Sequence, residues 1–117
     1  MKIKRLKIPL YFGDLIIIQE KSLKNIPGKY KPENFDFRNY DAFTHEIIEK
    51  GYKTYILVFK KPTKSKIIAH EALHIVSRVF NDRNIDYSHI NDEHAAYFIG
   101  WIVGECHKVL KINDIKK

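Results

Sequence analysis

Residues 67–80 read IIAHEALHIVSRVF, and this stretch decides the predicted fold. Its spacing of apolar residues predicts a helix over residues 66–81. The apolar side chains cover most of the helix circumference, which is typical of a central, buried helix: Ala69, Ala72, Leu73, Ile75, Val76, Val79 and Phe80. The polar residues gather on the remaining face: His70, Glu71, His74, Ser77 and Arg78.

The polar face begins with an HExxH motif. His70 and His74 are four residues apart, so a helix places their imidazoles one turn apart on the same face. That spacing lets both rings reach one zinc ion, and it puts Glu71 beside them as a general base for a zinc-bound water. The alternative is a pair of core histidines hydrogen-bonded to backbone or to carboxylates. We favour zinc because a metal directly satisfies polar atoms on a buried helix.

A second helix is predicted over residues 92–110, with a start signal at residues 91–92. One face of it carries five residues: Glu93, Ala96, Tyr97, Gly100 and Gly104. Glycine inside a helix costs about 1 kcal/mol relative to alanine, so the two glycines suggest close approach of the HExxH helix. That packing would carry Glu93 toward the histidines as third zinc ligand.

Other candidates for the third ligand stay open. Asp92, His94 and His89 are the alternatives, because an error of one residue in the helix start rotates the face by about 100°. Glu93 itself has a simpler possible role, as a first-turn carboxylate that stabilises its own helix.

The first half of the chain reads as two hairpins. Residues 3–12 and 15–19 are predicted strands joined through Gly13 and Asp14, and residues 21–39 are predicted as a loop. Residues 42–48 and 52–60 are predicted as a second hairpin around residues 49–51. The predicted fold class is therefore α+β: a small, mainly antiparallel sheet of two hairpins followed by two packing helices, as one domain over residues 1–117.

The composition indicates which cellular location and which partners to expect for this domain. The chain has 117 residues, a single cysteine and no apolar run of bilayer length, so we expect no disulfide framework, no membrane partner and a cytoplasmic location. We also expect no signal peptide. The net charge of +7 would suit a nucleic-acid surface, but no arginine cluster accompanies the lysines, and we favour solvated lysines instead.

Three segments carry a resemblance to a known family. IAHEALH at residues 68–74, NDEHAAY at 91–97 and GWI at 100–102 resemble the small zincin-like proteins of tailed bacteriophages, and more broadly the gluzincin-type zinc peptidases. The resemblance covers roughly residues 52–110. It implies zinc ligands His70, His74 and Glu93, a base at Glu71, and the cytoplasm of a bacterial host cell. The chain departs from larger gluzincins at Tyr97, where they have an aspartate.

The predicted function is a zinc-dependent hydrolase, a minimal metallopeptidase acting on a peptide or protein substrate. Its metal would be held by His70, His74 and Glu93. Its catalytic residues would be Glu71, as the base, and Tyr97, as a donor to the oxyanion. Other candidate donors are Tyr87, His89 and His94.

Two rivals belong to other classes. In one, a zincin fold uses structural zinc and acts as a binding or host-interaction module without turnover. In the other, a basic nucleic-acid-binding protein carries the HExxH motif incidentally.

Overall fold

The computed structural model describes residues 1–36, 39–86 and 88–114. It confirms the α+β class, with four strands followed by two helices: β1 (Lys2–Lys7), β2 (Asp14–Glu20), β3 (Ala42–Glu49), β4 (Tyr52–Lys60), α1 (Ser65–Asp82) and α2 (Asp92–Val109). Short 3₁₀ turns lie at Leu23–Asn25, Gly28–Tyr30 and His89–Asn91. Among the described residues, no helix is both long enough and apolar enough to cross a membrane.

The two predicted hairpins form one mixed sheet in the order β1-β2-β4-β3. β1 pairs with β2 and β3 pairs with β4 in antiparallel fashion, whereas β2 and β4 are parallel. The sheet is thus antiparallel in two of its three pairings. β3 is an edge strand of this sheet, so the outer side of its backbone has no strand partner within the described residues.

The two hairpin turns differ in how well the sequence predicted them. Lys50 and Gly51 both have positive φ, at 53° and 79°, which suits the predicted tight turn between β3 and β4. The predicted tight turn at Gly13 and Asp14 is wrong, because β1 already ends at Lys7 and Asp14 belongs to β2. Residues 8–13 form the connection, and Pro9 within it lacks the N–H that a continued ladder needs.

The central strands β2 and β4 are buried on both faces of the sheet, and their apolar runs are correspondingly continuous. Alternate residues face the two helices: Leu15, Ile17, Tyr55, Leu57 and Phe59. The others lie on the opposite face beside Phe43 of β3, and they pack against Leu23 and Ile26: Ile16, Ile18, Ile56 and Val58. Leu23 and Ile26 come from the connection between β2 and β3, which covers the face opposite the helices.

Helix α1 lies on one face of the sheet and is not the central, buried helix that its composition predicted. Its buried apolar stripe contacts the sheet and α2: Ile68, Ala72, Ile75, Val76, Val79 and Phe80. Ala69 and Leu73 are exposed, Leu73 by 46%. Because the sheet and α2 cover only part of the circumference, the apolar residues outside that arc face solvent.

Helix α2 packs with a different face from the predicted one. Its buried residues are Ala95, Phe98, Ile102 and Cys106. Gly100 and Gly104 are exposed, and a Cβ added at either would meet no atom within 4 Å apart from its chain neighbours and the adjacent backbone of its own helix. The bulky apolar stripe therefore sets the orientation of α2, and the predicted close approach through the glycines is wrong.

The segment that follows α2 holds the start of α1 in place. Asp114 accepts a hydrogen bond from the backbone N–H of Ser65 at 2.8 Å, which satisfies a donor in the first turn of the helix. Buried Gln19 anchors the same segment, donating to Lys111 O at 2.8 Å and accepting from Lys111 N at 2.9 Å. These bonds fix where α1 begins relative to the sheet.

Candidate metal centre

The two motif histidines lie together on the exposed side of α1. Their Nε2 atoms are 3.2 Å apart, and the rings are nearly perpendicular, with an interplanar angle of 80°. Two imidazole nitrogens bound to one tetrahedral zinc at its usual bond length would be about 3.3 Å apart. The spacing of His70 and His74 therefore fits two ligands of a single ion.

Glu71 completes the cluster from the buried side. It retains only 9% exposure, and its Oε2 lies 3.7 Å from the Nε2 of His70. Burial raises the pKa of the Glu71 carboxyl, while the neighbouring His74, His70 and Arg78 act in the opposite direction. The potential ligand atoms of His70, Glu71 and His74 all lie within 4.8 Å of one another. A carboxylate this close to two imidazoles can exchange a proton with a molecule held between them.

The cluster opens into a cleft of about 580 Å³ between α1 and the chain entering β3. The wall from α1 consists of six residues: Lys66, Ile67, His70, Glu71, His74 and Arg78. Residues 39–44 form the other wall, which includes Tyr40, Asp41 and Thr44. Sequence reasoning did not find these three residues. The only signal was the position of Asp41 directly before a predicted strand.

The structure does not bring Glu93 to the histidines. Within the described residues, one group of three or more histidine, cysteine, aspartate or glutamate side chains could hold a metal, and it consists of His70, Glu71 and His74. Glu93 is exposed on α2. It precedes buried Ala95 by two residues, which places it about 200° around the helix. The predicted third ligand therefore gains no support from the packing of α2.

The alternative ligands also stay apart from this group. His89, Asp92 and His94 are all exposed, and none belongs to the cluster. His94 instead lines a separate apolar hollow on another part of the surface.

Tyr97, the predicted oxyanion donor, lines that separate hollow and not the cleft. It is 77% exposed and shares the hollow with Leu10 and Trp101. Tyr87, another predicted donor, lies outside the described residues. Side-chain donors that do line the cleft include Asn39, Tyr40, Thr44, Lys66 and Arg78.

A polar network holds the second half of α1 against the sheet. Asp82 accepts hydrogen bonds from Lys53 Nζ at 2.7 Å and from the hydroxyl of fully buried Tyr55 at 2.5 Å. Lys53 also lies 3.3 Å from Glu46, and Glu46 lies 3.9 Å from Arg78. Because these contacts join α1 to β3 and β4, they orient the histidine face of α1 toward the cleft.

This network predicts a loss of stability in acid. Burial alone would raise the pKa of Asp82, but the hydrogen bonds from Lys53 and Tyr55 outweigh it and lower that pKa below its ordinary value of 3.8. The ionised carboxylate therefore stabilises the fold above about pH 4, and this contribution disappears as the pH falls through the lower pKa of the folded state. Asp82→Asn should flatten the acid side of the curve of unfolding free energy against pH, as measured by urea denaturation.

The matched control for this prediction is Asp92→Asn, which removes an exposed carboxylate at the start of α2. It should leave the acid dependence nearly as in the wild type. Equal flattening by both substitutions would show that the network around Asp82 is not the cause.

Comparison of the chain with protein-family models, curated proteins and solved structures finds no match. Membership of the phage zincin-like family thus stays a prediction from the motif segments.

Proposed function

We propose that the protein is a zinc-dependent hydrolase, and specifically a metallopeptidase of minimal gluzincin type. The observation that carries the proposal is the 3.2 Å separation of the two imidazole Nε2 atoms, beside a largely buried carboxylate and at the wall of a cleft. His70 and His74 would hold the metal. A bound zinc ion would supply Lewis acidity and lower the pKa of its water toward about 7.

Glu71 would carry the proton in this reaction. Its carboxylate accepts a proton from the attacking water and then donates it to the leaving amine. The 3.7 Å distance between Glu71 Oε2 and His70 Nε2 places the carboxylate beside the same space that the two imidazoles face.

The edge strand favours an extended peptide as substrate. The cleft follows the entry to β3, whose outer backbone groups have no strand partner in the described sheet. A peptide can add to such an edge as a further strand, with main-chain hydrogen bonds that do not depend on its side chains. This position would bring a peptide carbonyl alongside the HExxH face of α1.

The rival proposal is a binding module that holds zinc without turnover. The observation in its favour is that Tyr97, the predicted oxyanion donor, lines a separate hollow and not the cleft. A closed coordination sphere would favour this module further, because structural zinc sites keep no open position for water.

A cleavage assay separates the two proposals. Zinc-loaded protein, produced without a histidine tag, is incubated with an unfolded protein substrate, and the products are identified by mass spectrometry. We expect cleavage that stops when a chelator removes the zinc and returns when zinc is added back. Zinc-loaded protein that cleaves neither unfolded proteins nor a broad peptide library would contradict the hydrolase and leave the binding module.

A further inference from the structure

Four residues on the cleft side of α1 recur at every fourth position: Lys66, His70, His74 and Arg78. A step of four residues advances a helix by about 6 Å and keeps the side chains on one face. Lys66 and Arg78 therefore flank the histidine pair by one turn on either side. The cleft has a cation at each end and the metal-binding pair in its middle.

Lys66 and Asp41 line the same cleft, Lys66 from α1 and Asp41 from the opposite wall. Asp41 precedes β3, and its carbonyl oxygen accepts a hydrogen bond from the backbone N–H of Lys60 at the end of β4, five residues before α1 begins at Ser65. Asp41 therefore stands at the same end of the cleft as Lys66. Its charge opposes a preference for anions at that end.

Arg78 at the other end keeps its hydrogen-bond donors available. Its side chain is 41% exposed, and its nearest carboxylate, Glu46, lies 3.9 Å away, at the outer limit of an ion pair. Glu46 lies closer to Lys53, at 3.3 Å. Within the described part of the chain, Arg78 donates no hydrogen bond to another side chain or to backbone. The planar guanidinium can thus bind an incoming carboxylate through two parallel hydrogen bonds.

We propose that Arg78 forms a carboxylate-binding subsite, so that the preferred substrates are peptides with an acidic group two or three residues from the cleaved bond. Along the helix axis, Arg78 lies about 6 Å from His74 and about 9 Å from the middle of the histidine pair, and an extended chain advances about 3.3 Å per residue. An acidic side chain or the terminal carboxylate of the peptide would supply the same chemistry. The position of the cleaved bond rests on the proposed function; the binding of an acidic peptide does not.

Binding of short peptides tests the proposal without requiring turnover. The probes are fluorescently labelled alanine hexapeptides with an amidated C-terminus. In one set, a single glutamate or a single glutamine occupies each position in turn. One further peptide contains only alanine and has a free C-terminal carboxylate. Anisotropy titrations use the zinc-loaded Glu71→Gln protein, in which the base is removed. We expect glutamate to bind about tenfold more tightly than glutamine at one position, or the free end to bind more tightly than the amide by a similar factor.

Substitutions of Arg78 in the same protein identify the subsite. Arg78→Gln should reduce the ratio of glutamate to glutamine affinity to about one, and Arg78→Lys should keep only part of that ratio because lysine lacks the planar fork. Lys24→Gln is the control for lost charge, since Lys24 is exposed near Leu23 and Ile26, beyond the opposite face of the sheet, and it should keep the full preference. Thermal unfolding confirms that each variant is folded.

The binding results test the Arg78 subsite independently of the proposed hydrolase activity. Equal binding of glutamate and glutamine at every position, together with no preference for the free end, would overturn the subsite even if the protein cleaves peptides. A preference that survives Arg78→Gln would also overturn it. A preference that Arg78→Gln removes would establish the subsite even in a protein that cleaves nothing.

Discussion

Replacing both His70 and His74 by alanine should abolish stoichiometric zinc binding. The two imidazoles supply the closely spaced nitrogens of the site, and within the described residues no other group replaces them. We expect about one zinc per chain in the wild type and roughly a tenth of that or less in the double variant. The number of zinc ions per chain is measured by mass spectrometry after gel filtration of untagged protein.

A second double variant controls for the loss of two histidines. His45 lies in β3, and its position in the strand pairing places it on the sheet face opposite the helices; His107 lies in the last turn of α2. Replacing both by alanine should leave the zinc content unchanged. Because metal binding stabilises a small domain, added zinc should raise the melting temperature of the wild type and of this control, but not of the variant without His70 and His74. Zinc retained at full stoichiometry in that variant would contradict the metal centre.

Glu71→Gln should lower the rate of peptide cleavage by roughly a hundredfold or more while zinc and fold are kept. The glutamine side chain has the same shape but cannot accept a proton from water. The two imidazoles do not depend on Glu71, because consecutive residues point about 100° apart on a helix. The measurement pairs the rate constant for one peptide with the zinc content of the same preparation.

The control for this prediction is Glu49→Gln, which changes an exposed glutamate at the end of β3 in the same way. It should cleave at the wild-type rate. Equal cleavage by Glu71→Gln and the wild type would remove Glu71 from the mechanism, whereas loss of zinc from Glu71→Gln would show that this carboxylate is itself a ligand.

The histidine pair was predictable because its geometry is local. The period of an α-helix brings His70 and His74 onto one face regardless of what surrounds the helix, and their Nε2 atoms indeed lie 3.2 Å apart. The strands were predictable for a related reason. Runs such as residues 55–59 contain the β-branched and aromatic residues that suit a strand buried on both faces, and β4 includes them all.

The orientation of α2 was not predictable from its sequence, because apolar residues occur on more than one side of it. Ile99, Trp101 and Val103 accompany the fully buried stripe and are themselves partly buried. The prediction placed the contact face of α2 at Gly100 and Gly104, and the bulky apolar residues in fact form it. The predictions for Glu93 and Tyr97 depended on the glycine face. The wall of the cleft formed by residues 39–44 was not predictable either, because no local sequence pattern shows which strand α1 packs against.

Diffraction from crystals of the zinc-loaded protein, recorded on both sides of the zinc absorption edge, tests the central claim most directly. We expect one strong anomalous peak per chain in the cleft, about 2.1 Å from the Nε2 atoms of both His70 and His74. The same map identifies every further ligand, and so decides whether Glu93 reaches the metal. A cleft without a peak in zinc-loaded crystals, or a peak bound elsewhere and out of reach of both imidazoles, would contradict the account.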